Sequence, residues 1–238
     1  AAEEAMSSLA RFSLPQYELD LSMENLAFLS RLDRSGRPSL ELRALVYPGK
    51  RVRYIGPKSC QAYGIALDIG TSTIYAALLD LQKKQTSAVI SSSNLQKTYG
   101  ADILARLSYA LDKPEGMQTL QRVMINSING CLEELCLQVG TAVEDIYAFC
   151  VAGNPVMLHF FLGLNPAGFA AAPYVGLFND QLQCSARSLG LRAAQEAECY
   201  ILPQIGGFVG ADTVAALLSI PMDQNNTYLL VDVGTNSE

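Results

Sequence analysis

The sequence has no tryptophan, a single histidine (His159) and no apolar run approaching the roughly 20 residues that a membrane helix needs. A membrane-spanning helix is therefore not expected, and a soluble globular protein is. Six cysteines are present (Cys60, Cys131, Cys136, Cys150, Cys184, Cys199), but none forms a C-x-x-C pair. That argues against a zinc site, an iron–sulfur loop or a disulfide framework and fits free thiols in a reducing cytoplasm. Also missing are the phosphate-binding G-x-x-x-x-G-K-[ST] and any G-x-G-x-x-G that opens a helix after the first strong strand, so the two commonest nucleotide fingerprints do not apply. The first residues, AAEEAMSSLARFSLP, lack both an initiator methionine and the basic-then-apolar grammar of a signal peptide. They read as the middle of a longer chain.

Half of the 238 residues are hydrophobic, ample for a buried core. Charge is unevenly shared. Residues 1–61 hold nine Lys/Arg against seven Asp/Glu, a net +2, and residues 62–238 hold eight against sixteen, a net −8, which together give the −6 of the chain. The basic residues of the first segment are interleaved with Leu, Val and Tyr, as in RALVYPGKRVRYIG, which favours solvated strand faces over a nucleic-acid surface. Leu19, Leu21, Leu26, Leu29 and Leu32 surround a short helix, and residues 40–55 alternate like strands broken at Pro48-Gly49. Residues 1–61 are thus expected to be a small α+β module.

From Tyr63 the pattern is that of a larger α/β domain. GIALDI, TIYAALLDL and TSAVIS, separated by tight connections, predict an antiparallel meander. Helices follow from about Ile103 to Leu111 and from about Glu115 to Val139. In the second, Leu120, Val123, Met124, Ser127, Ile128, Cys131, Leu135 and Val139 recur at helical spacing. Then come a buried strand IYAFCVA, a short helix in NPVMLHFFLG, a strand CYILP, a glycine-rich turn opening a helix in IGGFVGADTVAALLSI, and a last strand within NNTYLLVDVGTNSE.

Two segments, ALDIGTST and LLVDVGTN, repeat hydrophobic-Asp-x-Gly-Thr. A strand ending this way directs a carboxylate beyond the sheet and then turns on a residue with no Cβ, exposing successive N–H groups to which phosphate oxygens can come close. The hydroxyl and amide residues that follow add donors. The carboxylate would repel phosphate directly, so its plausible work is to hold Mg2+ or its waters. Two facing turns would clamp a polyphosphate with the metal between them; two ordinary strand-ending turns remain the bland alternative.

At these residues the sequence resembles the first and second phosphate loops of the acetate and sugar kinase, heat-shock chaperone and actin superfamily, whose ribonuclease-H-like lobes hold ATP between them. SNLQKTYGADILARLSYA, VAGNPVMLHFFLGLNP, APYVGLF and LPQIGGFVGADTVAALL further resemble, in order and spacing, the ATP-dependent reductive activators of corrinoid proteins. The resemblance implies an α/β fold: a linker or middle α+β module over 1–61, a first ribonuclease-H-like ATPase lobe over 62–222, and the first strand and phosphate loop of a second lobe over 223–238. It places Asp68, Gly70, Thr71, Ser72 and Thr73 in the first phosphate loop and Asp232, Gly234, Thr235 and Asn236 in the second, with Asp68 and Asp232 as Mg2+ ligands. Gly207, Gly210 and Asp212 fall where the superfamily connects its lobes. Asp212 then orients the attacking water, or else simply faces a helix dipole.

The implied cofactors are ATP and Mg2+. An iron–sulfur cluster is expected only in a domain outside this chain, because the ferredoxin-like cysteines of such activators are absent. The implied activity is ATP-driven conversion of Co(II) to Co(I) in a corrinoid protein or corrinoid-dependent methyltransferase, in the cytoplasm, with no nucleic acid or membrane partner and with a homodimer open. A small-molecule kinase and a nucleotide-switched binding module without hydrolysis are the alternatives, and the 238 residues alone are expected to be inactive.

Three other features favour structure over chemistry. His159 on its apolar helix reads as a packed core histidine rather than a cobalt ligand or proton carrier. Cys131 and Cys136 lie about 140° apart around a helix and share no face. Asn154 suits a helix N-cap as well as a ligand cleft.

Overall fold

The computed structural model describes residues 18–19, 23–31, 42–47, 51–57, 61–221, 223 and 225–231. The chain forms two compact units, residues 1–61 and 62–238. In the first, strand β1 (Glu18–Leu19) pairs parallel to β3 (Arg51–Pro57), which pairs antiparallel to β2 (Leu42–Tyr47), with helix α1 (Met23–Arg31) between β1 and β2. Of the leucines expected around the helix, Leu26 and Leu29 lie in α1 but Leu19 belongs to β1; Leu21 and Leu32 lie outside the described residues. Tyr47, Val52 and Ile55 are buried.

The second unit is built on a six-stranded sheet ordered β6-β5-β4-β7-β9-β8. Strands β4 (Tyr63–Ile69), β5 (Thr73–Asp80) and β6 (Gln85–Ser93) form the antiparallel meander. Helices α2 (Ile103–Asp112) and α3 (Gly116–Val139) then carry the chain over one face to β7 (Ile146–Gly153), parallel to β4. Helix α4 (Pro155–Leu162) precedes β8 (Leu182–Ser185) and β9 (Glu198–Ile201); β9 is parallel to β7, and β8 is antiparallel to β9 at the edge. Helix α5 (Ala211–Ser219) closes the unit. Three antiparallel strands followed by two parallel ones, with helices between, make a ribonuclease-H-like lobe, to which β8 adds an edge strand.

Strand alternation sorts the two faces. Ile65, Leu67 and Ile69 of β4, Ile74, Ala76 and Leu78 of β5, and Phe149 and Val151 of β7 are buried. Ala66, Asp68, Tyr75 and Cys150 point to the other face and are exposed. The burial of α3 is broader than the expected stripe. Leu120, Met124, Ile128, Cys131 and Leu135 are buried as anticipated, but so are Ile125, Leu132 and Cys136, whereas Val123, Ser127 and Val139 are only half-buried. The physical reason is that α3 packs on α2 and α4 as well as on β5 and β6, so more than one side is covered. That also buries both Cys131 and Cys136 despite their angular separation.

The last strand expected, over Tyr228 to Val233, differs. Residues 227–231 form no strand among the described residues, and Leu229 is 89% exposed. A strand exists only through a neighbour that accepts its ladder of hydrogen bonds, and none of the six strands pairs with residues 227–231; Asp232 and Val233 lie outside the described residues. No helix among the described residues is long and apolar enough to cross a membrane.

Candidate functional site

The candidate site is assembled at the carboxyl ends of β4 and β7. Ile69 pairs with Ile74 across the hairpin, leaving Gly70 to Ser72 and the start of β5 at Thr73 to make the reversal. The Gly70 N–H donates to the Thr73 carbonyl at 2.9 Å, and a Cβ on Gly70 would lie 2.7 Å from that same oxygen. Only glycine allows so close an approach without displacing the turn. Asp68 sits one residue before the end of β4, between Tyr75 of β5 and Ala152 of β7, on the exposed side of the sheet. The side chains of Ser72 and Thr73 are exposed, and Thr71 is buried.

Two asparagines fix this turn from behind. Asn154 caps α4, its Oδ1 accepting the Met157 N–H at 3.0 Å, while its Nδ2 donates to the Thr71 hydroxyl at 3.1 Å. The capping role is thus filled, and the same side chain also holds Thr71 of the turn. Asn94, which the sequence reading did not single out, is fully buried after β6. Its backbone N–H donates to the Ser72 carbonyl at 2.9 Å, its Nδ2 to the Gly70 carbonyl at 2.9 Å, and its Oδ1 accepts the Gln96 N–H at 3.1 Å. An asparagine placed directly after a strand and before a helical turn was the available signal.

The glycine-rich segment reaches the same place. A Cβ on Gly210 would lie 2.7 Å from Asn154 Cα, from the Gly153 carbonyl and from Pro155 Cδ. Gly153 in turn leaves no room for a Cβ, which would lie 2.8 Å from the Ile69 carbonyl. The starts of α4 and α5 are thus drawn together beside the Gly70–Thr73 turn, with Asn154 touching both. Gly207 lies farther along, at a positive φ of 58° in a tight turn closed by Gly206 and Val209. Asp212 is half-buried in the first turn of α5, and its Oδ1 accepts the Thr213 N–H at 2.9 Å, as a carboxylate at a helix start does. Asp232, Gly234, Thr235 and Asn236 lie outside the described residues.

His159 is fully buried on α4. The Leu177 N–H must donate, so His159 Nε2 accepts it at 3.0 Å and the proton resides on Nδ1, which donates to the Pro155 carbonyl at 2.7 Å. The ring stacks on Phe178 and meets Phe169 edge-on. Both nitrogens are used, and burial pushes the pKa below the usual histidine value. It is a structural clamp on the segment around Leu177.

Among the described residues no group of three or more His, Cys, Asp or Glu side chains could hold a metal ion. The arrangement supplies instead a glycine turn, nearby hydroxyls, two helix starts and the carboxylates of Asp68 and Asp212, which suits a hydrated cation bound to a phosphorylated ligand.

Comparison with known proteins agrees with this architecture. The chain is 30% identical over 226 residues to the corrinoid activation enzyme RamQ of Eubacterium limosum, covering 94% of this chain and 37% of that protein. It is 27% identical over 186 residues to the [Co(II) methylated amine-specific corrinoid protein] reductase of Methanosarcina barkeri, covering 74% of this chain and 33% of that protein. A solved structure of a reductive activator for corrinoid, iron–sulfur protein superposes with a TM-score of 0.77 at 26% identity, covering 89% of this chain and 34% of that one. The chain spans about a third of the length of these relatives. A family model described as RACo middle region matches residues 63–225, so that description attaches to the six-stranded unit, and the chain belongs to this family.

Proposed function

We propose that the whole protein reductively activates corrinoid proteins, with ATP bound through the Gly70–Thr73 turn. The observation that carries this reading is the family match across the six-stranded unit, joined to curated relatives whose names describe corrinoid activation and corrinoid-protein reduction. The glycine turn supports the nucleotide part. Gly70 keeps the backbone open to phosphate oxygens, Thr71, Ser72 and Thr73 bring hydroxyls, and Asp68 stands at the exposed strand end. Asp68 and Asp232 together would hold Mg2+, whose chemistry is to neutralise charge developing on the phosphates. Gly234, Thr235 and Asn236 would form the opposing turn, with Gly207 and Gly210 shaping the segment between and Asp212 orienting the attacking water.

Co(II) is reduced to Co(I) by one electron, delivered by an iron–sulfur domain outside this chain to a corrinoid protein or corrinoid-dependent methyltransferase. That reduction is uphill for ordinary donors, so nucleotide must shift a conformational equilibrium toward the state that favours it. The setting is the cytoplasm, with neither membrane nor nucleic acid involved and with a homodimer as one assembly open to it. Taken alone, the 238 residues carry only part of the contact surface and are inactive.

The test is to follow corrinoid absorbance in the whole protein with a cognate Co(II) corrinoid protein. Co(I) is expected only when ATP and reductant are both present. Asp68→Asn should lower ATP turnover at least about a hundredfold, the scale of losing one directly engaged electrostatic group, while the thermal melt is retained. Co(I) formation independent of ATP, or phosphorylation of a sugar or acid with no effect on any corrinoid protein, would overturn the reading.

A further inference from the structure

Behind the Gly70–Thr73 turn lies an arginine that makes no ion pair among the described residues. Arg106, on α2, is fully buried. Its Nε donates to the Gly100 carbonyl at 2.8 Å, and one terminal nitrogen reaches Gln96 Oε1 at 3.4 Å and Met157 Sδ at 3.5 Å. The other terminal nitrogen has no hydrogen-bond partner among the described residues. No described carboxylate hydrogen-bonds to the guanidinium; the acid that acts on it through space is Asp102, the exposed N-cap of α2. Burial pushes its pKa down, yet a guanidinium starts so high that it stays a cation. A buried charge left without an opposite charge is costly, and an apolar residue of similar size would fill the same space without that cost.

The position of the charge gives a reason for keeping it. Contacts of 3.5 Å from Arg106 to Met157 Sδ, 3.8 Å from there to Asn94 Nδ2 and 2.9 Å from Asn94 to the Gly70 carbonyl put the guanidinium within about 10 Å of the turn. The intervening groups are buried, so little water screens it. Gln96, whose Nε2 is bound to the Leu120 carbonyl at 2.9 Å, holds the other side.

We infer that Arg106 is a positioning residue whose counter-ion is the polyphosphate of the bound nucleotide, acting through the turn rather than by touching the ligand. The inference rests on the nucleotide reading of the turn given above. It requires that affinity depend on Arg106 in proportion to phosphate charge, which a purely structural arginine would not produce.

The experiment is calorimetric titration of the whole protein with Mg-ATP, ADP, AMP and adenosine. Arg106→Gln is expected to weaken ATP at least about tenfold, the size of one unit charge acting over this distance at an effective dielectric constant near 20, with AMP affected less and adenosine unchanged. Arg106→Lys keeps the charge but cannot reproduce the fork, and it should preserve the ATP-to-AMP affinity ratio even if the melting temperature falls. Equal weakening of ATP and adenosine in both variants, or an unaltered ratio in Arg106→Gln, would overturn the inference. Should Arg106→Gln not fold, Asp102→Asn decides. It keeps the cap, removes the described acid that acts on the guanidinium, and should tighten ATP about twofold without moving adenosine. No change in ATP affinity would count against the inference. Failure of the wild type to bind ATP at all would instead remove the nucleotide reading beneath it.

Discussion

At the scale of single residues, the lone histidine is the sharpest handle on the fold. His159 is held neutral by two hydrogen bonds that fix its tautomer, and its pKa lies below the ordinary value because of burial. In the unfolded chain it titrates near 6.5. As pH falls below about 6.5 the unfolded chain takes up a proton that the native protein refuses, so stability drops with falling pH until the lowered native pKa is reached. The slope approaches about 1.4 kcal/mol per pH unit in that window. Thermal melts of the wild type between pH 7.5 and 5 should show this loss, and His159→Phe, less stable at neutral pH, should lack that share of the slope, roughly one proton. Identical pH slopes in both proteins would mean that the imidazole is not held neutral. Its packed character was legible from an apolar helix with one ring residue among Leu and Phe. Asn94 and Arg106 were not, because their meaning lies in what they touch across the sequence. Arg106 did leave one trace: with Ile103, Leu107 and Ala110 it falls on the buried stripe of α2, where a charge is out of place.

At the scale of elements, the strands and helices that could be read were those with strong local grammar. The meander of β4, β5 and β6, the long α3 and the short α4 announce themselves by apolar runs, periodicity and capping residues. The four-residue β8 does not; its alternation of Leu182 and Cys184 with polar neighbours is too short to stand out, and the strand forms by pairing with the edge that β9 offers. Site-building glycines divide in the same way. Gly70 was legible because its turn is local, whereas the demand on Gly210 comes from the start of another helix. A Cβ there meets the backbone of Gly153 and Asn154, which cannot rotate aside. Gly210→Ala should therefore push the starts of α4 and α5 apart, lowering stability by about 1–3 kcal/mol, the usual scale of overpacking. It should also loosen the Asn154–Thr71 bond, so nucleotide affinity should fall more than in Gly207→Ala, where the added methyl meets open space and only the positive φ is strained. Urea melts together with ATP titration of both variants check the order, and an unperturbed Gly210→Ala would show that the two helix starts are not packed as tightly as the contacts require.

At the scale of the molecule, the question is which part of the chain carries its own core. The three-stranded sheet is made wholly within residues 1–61 and the six-stranded sheet wholly within 62–238, so among the described residues no strand ladder joins one unit to the other. Strand β4, where the second unit starts, is bracketed by β5 and β7 of the same sheet and needs no partner from earlier in the chain. Its buried set, from Ile65 and Leu78 through Met124 and Ile128 to Phe149 and Phe160, is contributed entirely by elements after Ala62. The first unit is about 60 residues long, a size at which a chain buries a smaller share of its surface and is correspondingly marginal. Residues 62–238 should therefore fold without residues 1–61, giving a cooperative melt within about 4 °C of the 238-residue chain, a shift no larger than about 1 kcal/mol produces in a domain of this size. Residues 1–61 alone should show no cooperative transition. Circular dichroism of the two pieces decides the matter. A non-cooperative melt for residues 62–238, with dye-binding apolar surface, would mean that the ribonuclease-H-like core is completed from the first unit and that the two sheets are not independent in folding.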